Sequence, residues 1–518
     1  MKKSLFFLLV LFCVEVSSQQ KDDVSNLSGY ELKNAVRLNF IPVEMPTNFD
    51  PDLKSTMGLL GVHYQIPINN WLYGGVGMHA AITGDQGGLF TLGAELGGSK
   101  KIIDNWFLDA NVHFGGGGGY RYLVNDGAFL NANIGIKYQH KNYAFGVQFS
   151  HLNFYTGEIE SNSASFFLEI PSVLRFADYK NAQKEFTLNN QNKDNFWKKP
   201  SSKNAQQVRF DFFNPIGNSK KDNANNQEPL TETLYVLGFE YQKYVNEKTF
   251  IFIHTDAIYK GLRAGFMDLF FGAGSNIYQA KRVNLFTKFA VGAAGGRIAP
   301  EGGLMIYPSV GIDLKLTKSF AISSHAGYYR AVAGNLEAYT GGFGLKYFSN
   351  AGGTETTSNN NYDYFKTQGI HVQLQNQTYF DVQKTDSQNV DLQLIGLRFN
   401  YDLNNTFYLI GETGFAYKGE SGGYAHGIVG LGISSPAFFY QRFKTHLELT
   451  GGAAGGAGVD TEEGIVIRPT LGISYKLANN FSLYASGGKI ISPSGNLNST
   501  NINIGLSFGL STLTARHK

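Results

Sequence analysis

The sequence predicts an all-β chain of antiparallel, membrane-spanning strands, arranged as three tandem eight-stranded barrel units. Three observations carry this. The stretch LDANVHFGGGGG (108 to 119) returns as TKFAVGAAGG (287 to 296) and HLELTGGAAGG (446 to 456), and its surroundings return with it; repetition of this kind marks one structural unit written several times. Hydrophobicity alternates with a period of two, as in strands with two unlike faces. The connections between strands alternate between short and long, the habit of barrels that cross a membrane.

The chain opens with Lys2 and Lys3, an apolar run from Leu5 to Val14, and the short residues Val16, Ser17 and Ser18 before Gln19. Residues 1–18 therefore read as a removable secretory signal of the Sec type. Cys13 is the sole cysteine, and the bulky Phe12 before it disfavours lipid anchoring. The mature chain then has no thiol or disulfide chemistry. After the signal no run approaches the roughly 18 apolar residues of a spanning helix. Charged residues make up 16%, aromatic residues 14%, and there are 62 glycines; a soluble surface would carry more charge, about 25% on average. A net charge of +3 is too small to point to nucleic acid.

Residues 19–35 are expected to be an N-terminal segment, and the first unit covers 36–175. Gly61, Gly238 and Gly396 recur at matching places, as do Gly135, Gly311 and Gly472. The second unit is 207–350 and the third 370–512, with a tail at 513–518. Linkers of 176–206 and 351–369 join them. The last strand shows the pattern most clearly: Ile502, Ile504, Leu506, Phe508 and Leu510 share one face, and Asn501, Asn503, Gly505, Ser507, Gly509 and Ser511 the other. Because the polar face is mostly Gly, Ala, Ser and Asn, it suits a crowded lumen, and the apolar face suits lipid.

Short turns lie at 68–70, 245–248, 317–318, 403–405 and 478–480, and longer polar connections at 214–233, 379–391 and 458–464. Aromatic residues follow the short turns at Trp71, Tyr143, Phe250, Phe320, Phe407 and Phe481; they are expected to form a girdle at the periplasmic interface. Strand spacing alone does not distinguish three separate barrels from one continuous barrel of about twenty-four strands. A wide barrel needs a plug, no segment is long enough to supply one, and the long joints favour separate closure.

The pattern resembles the small eight-stranded outer-membrane barrels of Gram-negative bacteria, the class of the OmpA transmembrane domain, OmpX and OmpW. Asn503, Gly505, Phe508 and Leu510 match that class's C-terminal assembly signal, and Thr340, Gly342, Leu345 and Tyr347 form a similar set. Ser511 to Lys518 depart from it, since the class often ends on the aromatic residue. The resemblance implies an outer-membrane location, with lipid, lipopolysaccharide and the assembly machinery as partners. It also implies a structural or surface-interaction role for the loops. A porin-like channel is the alternative, and a lipid-modifying enzyme the third reading.

Inward-facing His63, Glu240 and Arg398 are matched as one place in the three units, and Asp109, Lys288 and Glu448 as another. They are expected to form an interior polar network, or a pore lining in the large-barrel reading. No catalytic residue, cofactor or metal is expected. H-E-x-x-H is absent, and His113, His151, His325 and His446 fall in different registers. Asp460, Glu462 and Glu463 lack EF-hand spacing. The glycine runs lack a following Lys-Ser/Thr, which argues against phosphate binding; coiling of the barrel wall near the outer rim is their expected role. Lys193, Lys198, Lys199 and Lys203 with Trp197 read as a solvated linker, with a periplasmic partner as the alternative.

Overall fold

The structure, a computed structural model, describes residues 22–188, 196–223, 226–299, 301–355, 362, 364–385 and 388–516. The expected signal and Lys193 lie outside the described residues. Strand pairing follows the alternation. In the first unit eight strands run in order: Tyr30–Glu44, Thr56–Pro67, Leu72–Thr83, Phe90–Ile103, Trp106–Gly118, Phe129–His140, Tyr143–Phe154 and Glu160–Asp178. Each pairs with the next, and the eighth returns to the first, from Tyr30 opposite Phe176 to Phe40 opposite Phe166.

The second ladder begins at Ser202–Ile216 and ends at Glu337–Ala351, which pair from Ser202 opposite Ala351 to Ile216 opposite Glu337. The third runs from Tyr364–Gln383 to Asn498–Arg516, closed from Tyr364 opposite Arg516 to Phe380 opposite Thr500. Between ladders the pairing is slight. Leu510 and Ser511 meet Asp178 and Ala177, and Asn350 and Ala351 meet Ala515 and Thr514.

Closure leaves none of the three ladders with an open edge. In the last strand Asn503 is fully buried while Ile504 is 60% exposed, so the polar face lines the bore and the apolar face points outward. All three ladders carry a bulge at the same rung of the second and third strands. It shifts register after Gly58, Tyr235 and Gln393, and such bulges add the local bend a small barrel needs.

Several expectations need correction. The described part of 176–206 is not a solvated linker. At the short-turn end, Trp197 is fully buried with Val24, Leu27, Ala177, Phe186, Phe365, Leu513 and Ala515, and its Nε1 donates to the Leu27 carbonyl at 2.9 Å. Asp22–Asp23 pairs with Glu185–Thr187, which pairs in turn with Phe365 and Lys366. N-terminal segment, joint and chain end therefore form one small core, and Trp197 is unavailable to a periplasmic partner. The expected tail at 513–518 is strand as far as Arg516, which explains why the chain continues past the assembly-signal match. The first barrel strand starts at Tyr30, inside the expected 19–35 segment. Phe250 belongs to no girdle. Pairing with Tyr244 across the 245–248 turn puts it on the inward face, 1% exposed. Trp71, Tyr143, Phe320 and Phe481 are exposed, and Phe407 is partly so.

Candidate functional site

The bores are filled by charged and polar side chains that different strands bring inward. In the first barrel, Arg37 holds Asp109 at 2.8 Å and also Glu169, with Lys137 reaching Glu169 at 3.1 Å. Tyr73 donates to Asp109 at 3.1 Å, and the Arg37 guanidinium lies 4.1 Å from the Phe167 ring centre. Nearer the long-loop end, His63 Nδ1 lies 2.9 Å from Glu95, and Gln65 donates to the other Glu95 oxygen at 3.0 Å.

In the second barrel Arg209 joins Asp211 and Glu240, with Lys288 on Glu240 at 2.8 Å and Lys346 on Asp313 at 2.8 Å. In the third, Arg398 donates to Glu448 at 3.0 Å and Arg468 to Glu412 at 2.8 Å. Tyr408, Tyr484 and Thr470 complete the hydrogen bonds to Glu448 at 2.7 to 3.0 Å. A charge removed from water is tolerable only when paired and hydrogen-bonded. These side chains occupy the lumen that an open pore would need.

All six interior residues expected from the sequence, His63, Asp109, Glu240, Lys288, Arg398 and Glu448, are buried in the bores. His63, Glu240 and Arg398 share a rung, two residues beyond matching glycines whose ladders agree. Asp109, Lys288 and Glu448 do not. When the fifth strands, beginning at Trp106, Val283 and Phe443, are matched end to end, Asn111 stands level with Lys288 and Glu448. Asp109 sits one inward rung nearer the short turns, whereas Asn111 precedes Gly115 by the same interval as Lys288 precedes Gly292 and Glu448 precedes Gly452. Of the assembly-signal residues, Asn503 and Gly505 face the bore, and Phe508 packs at a tilt against Phe481 with ring centres 5.1 Å apart. Leu510 is buried where its strand meets Asp178.

The glycine runs do something the sequence did not suggest. At the long-loop end, the fifth strand of each barrel packs on the loop that follows the third strand of a neighbour. A Cβ on Gly118 would lie 3.0 Å from the Gly423 nitrogen, one on Gly295 2.4 Å from the Gly88 nitrogen, and one on Gly455 2.5 Å from Ala264. First barrel meets third, second meets first, and third meets second, a closed head-to-tail cycle.

One hydrogen bond repeats with it. Gly422 donates to the Asn125 carbonyl at 2.7 Å, Gly87 to Glu301 at 2.6 Å, and Ala264 to Glu462 at 2.7 Å. Each accepting residue has a left-handed φ, +45°, +56° and +49°. Beneath this ring the outward faces of all three barrels interlock through Ala80, Phe90, Leu92, Ala293 and Phe415, all buried. The expected coiling of the wall is thus replaced by barrel-to-barrel packing, and part of the apolar exterior faces protein instead of lipid.

Two clusters of metal-ligating side chains also lie in the bores, His63, His79 and His113 in the first barrel and His254, Asp256 and Asp268 in the second. The sequence signal for the first was the parity of the strands. With Gly61 opposite His79 and His63 opposite Gly77, the short turn at 68–70 makes His63 and His79 diagonal neighbours on the inward face.

No family model matches the chain, and no curated protein matches it. Among solved structures it is similar to the ferric enterobactin receptor PfeA of Pseudomonas aeruginosa, with a TM-score of 0.28 and 8% identity over 95% of this chain and 82% of that one. The siderophore receptor PirA of the same organism gives 0.27 and 9% over 95% and 81%. OccK10 of that organism gives 0.21 and 9% over 93% and 99%. At scores this low the chains do not superpose as wholes.

Proposed function

We propose that this chain is an integral outer-membrane protein of a Gram-negative bacterium, built as three closed eight-stranded barrels packed into one body, whose role is structural or surface-interacting. Lipid and lipopolysaccharide contact its apolar exterior, the outer-membrane assembly machinery inserts it, and the polar loops are its outward-facing surface. It carries no catalytic activity in this reading. The observation that supports it is the pairing of Arg37, Arg209 and Arg398 inside three separately closed bores, each residue at most 1% exposed.

The second reading is a transport channel. A polar cleft of about 440 Å³ between the second and third barrels, lined by Arg263, Lys384, Asp460 and Glu462 among others, favours it as a port of entry. Single-channel recording of the refolded chain in a planar bilayer separates the two. The scaffold reading expects a silent bilayer. A stable ohmic conductance, altered by Arg398→Ala, would favour the channel.

A further inference from the structure

We infer that the first barrel holds a divalent transition-metal ion between His63, His79 and His113. Their ring centres stand 4.8 to 5.0 Å apart, and one nitrogen from each lies within 4.8 Å of the others. His63 Nε2 faces His79 Nε2 at 3.3 Å. Nitrogens about 2.0 to 2.1 Å from a tetrahedral zinc lie about 3.3 Å apart, so this pair already has the spacing of two ligands.

The outer hydrogen bonds are compatible with two bare Nε2 atoms. His63 Nδ1 lies 2.9 Å from the Glu95 carboxylate, so it carries the proton and leaves Nε2 a bare lone pair. His79 Nδ1 lies 3.1 Å from the Thr91 hydroxyl; in the tautomer where that hydroxyl accepts, the second Nε2 is bare as well. Two lone pairs that face each other repel unless a cation stands between them, and a carboxylate behind a ligating imidazole is the usual second shell of such an ion. His113 gives an independent sign. It is fully buried, and neither ring nitrogen makes a hydrogen bond of ordinary geometry among the described residues, with only the Gly93 backbone standing beside the ring. Unsatisfied buried polar groups of this kind are costly.

The surroundings keep the rings in place. A Cβ on Gly77 would come within 2.4 Å of His63 Nδ1 and one on Gly93 within 2.5 Å of His113 Nε2. Phe129 meets His79 and His113 edge-on from the long-loop side. Neutral imidazoles backed by one carboxylate suit zinc, cobalt, nickel or copper over calcium or magnesium, which prefer oxygen. The other cluster is poorer, because Arg209 Nη1 lies 3.2 Å from His254 Nδ1 and sets a fixed positive charge beside it. The first-barrel site is not repeated: the rung of His79 is held by Asp256 and Gly414 in the other barrels.

Since the rings are closed off, the ion should enter while the barrel folds. The test is to refold the full mature chain from denaturant with Co²⁺ or Zn²⁺, remove free metal, and measure metal content and visible absorption. The expected result is about one ion per chain, with the intense bands of tetrahedral cobalt. In His113→Leu and His79→Gln, each checked for folding by its heat-dependent gel shift, retained metal should fall at least tenfold and the bands vanish. Wild type holding no more metal than these variants, or variants keeping both metal and bands, would overturn the assignment.

Discussion

The bores and the seams of this protein follow opposite rules. At matching rungs the bores carry His63, Glu240 and Arg398, an imidazole, a carboxylate and a guanidinium, each satisfied by a different set of partners. At the seams the same contact is made three times, with small residues at Gly118, Gly295 and Gly455 and the same backbone hydrogen bond. A closed barrel tolerates any interior whose charges and hydrogen bonds balance. Three barrels that must fit around one axis tolerate only one geometry, so the seam residues cannot drift in type as the bore residues have.

The largest expected break is in a bore. Arg209→Leu leaves Asp211 and Glu240 without their shared guanidinium, and removing one partner of a buried pair costs about 3 to 5 kcal/mol. The urea midpoint of the refolded protein should fall accordingly, while the seam is untouched. At the short-turn core, Trp197→Ala should cost about 3 to 5 kcal/mol and expose the joint to protease; unchanged digestion would place Trp197 outside the core. At the seam, Gly295→Val pushes into Gly87 and Gly88 and should cost about 1 to 3 kcal/mol. Faster hydrogen exchange at Gly87, with no change at Arg209, would separate seam from bore.

The smallest effect lies in the long connection at 214–233. There the hydrogen bond from Lys221, 2.9 Å away, lowers the carboxyl pKa of Glu232, and the same bond raises that of the Lys221 ammonium. A lowered carboxyl stabilises above its ordinary value and is lost as pH falls; a raised ammonium stabilises below its ordinary value and is lost as pH rises. The pair is therefore complete from about pH 5 to about pH 10. Being exposed, it contributes at most about 0.5 kcal/mol. Glu232→Gln should slow-exchange the hairpin 220–229 slightly less well within that window and equally outside it.

What was legible in the sequence was what local periodicity encodes. Alternation gave the inward Asn503 and outward Ile504, and the short turns at 68–70 and 403–405 fixed hairpin register. Parity also misled at the second hairpin: Phe250 pairs with Tyr244 as Tyr73 pairs with Pro67 and Tyr408 with Asp402, one position further along than Phe407, so it lands inside while Trp71 stays outside. The buried Trp197 was illegible because its partners, Leu27, Phe365 and Leu513, come from segments far apart in the chain with no shared period. The seam was illegible for the same reason. A glycine that lets its own strand bend and one that admits a neighbouring barrel look alike until Gly423 is seen beside Gly118. The three histidines meet only once the ladder places the fifth strand's His113 level with the His63–His79 diagonal.

The central claim is that each ladder closes on itself. Phe210 and Phe343, on the first and last strands of the second barrel, are direct cross-strand partners with outward rings 5.7 Å apart. With the chain's only cysteine in the expected signal, the mature double variant Phe210→Cys, Phe343→Cys can be oxidised in the membrane without competing thiols. Separate closure predicts a near-complete intrachain disulfide. In a continuous wall these strands would stand about 30 Å apart at roughly 4.8 Å per strand, and absence of the disulfide in the folded protein would contradict the account.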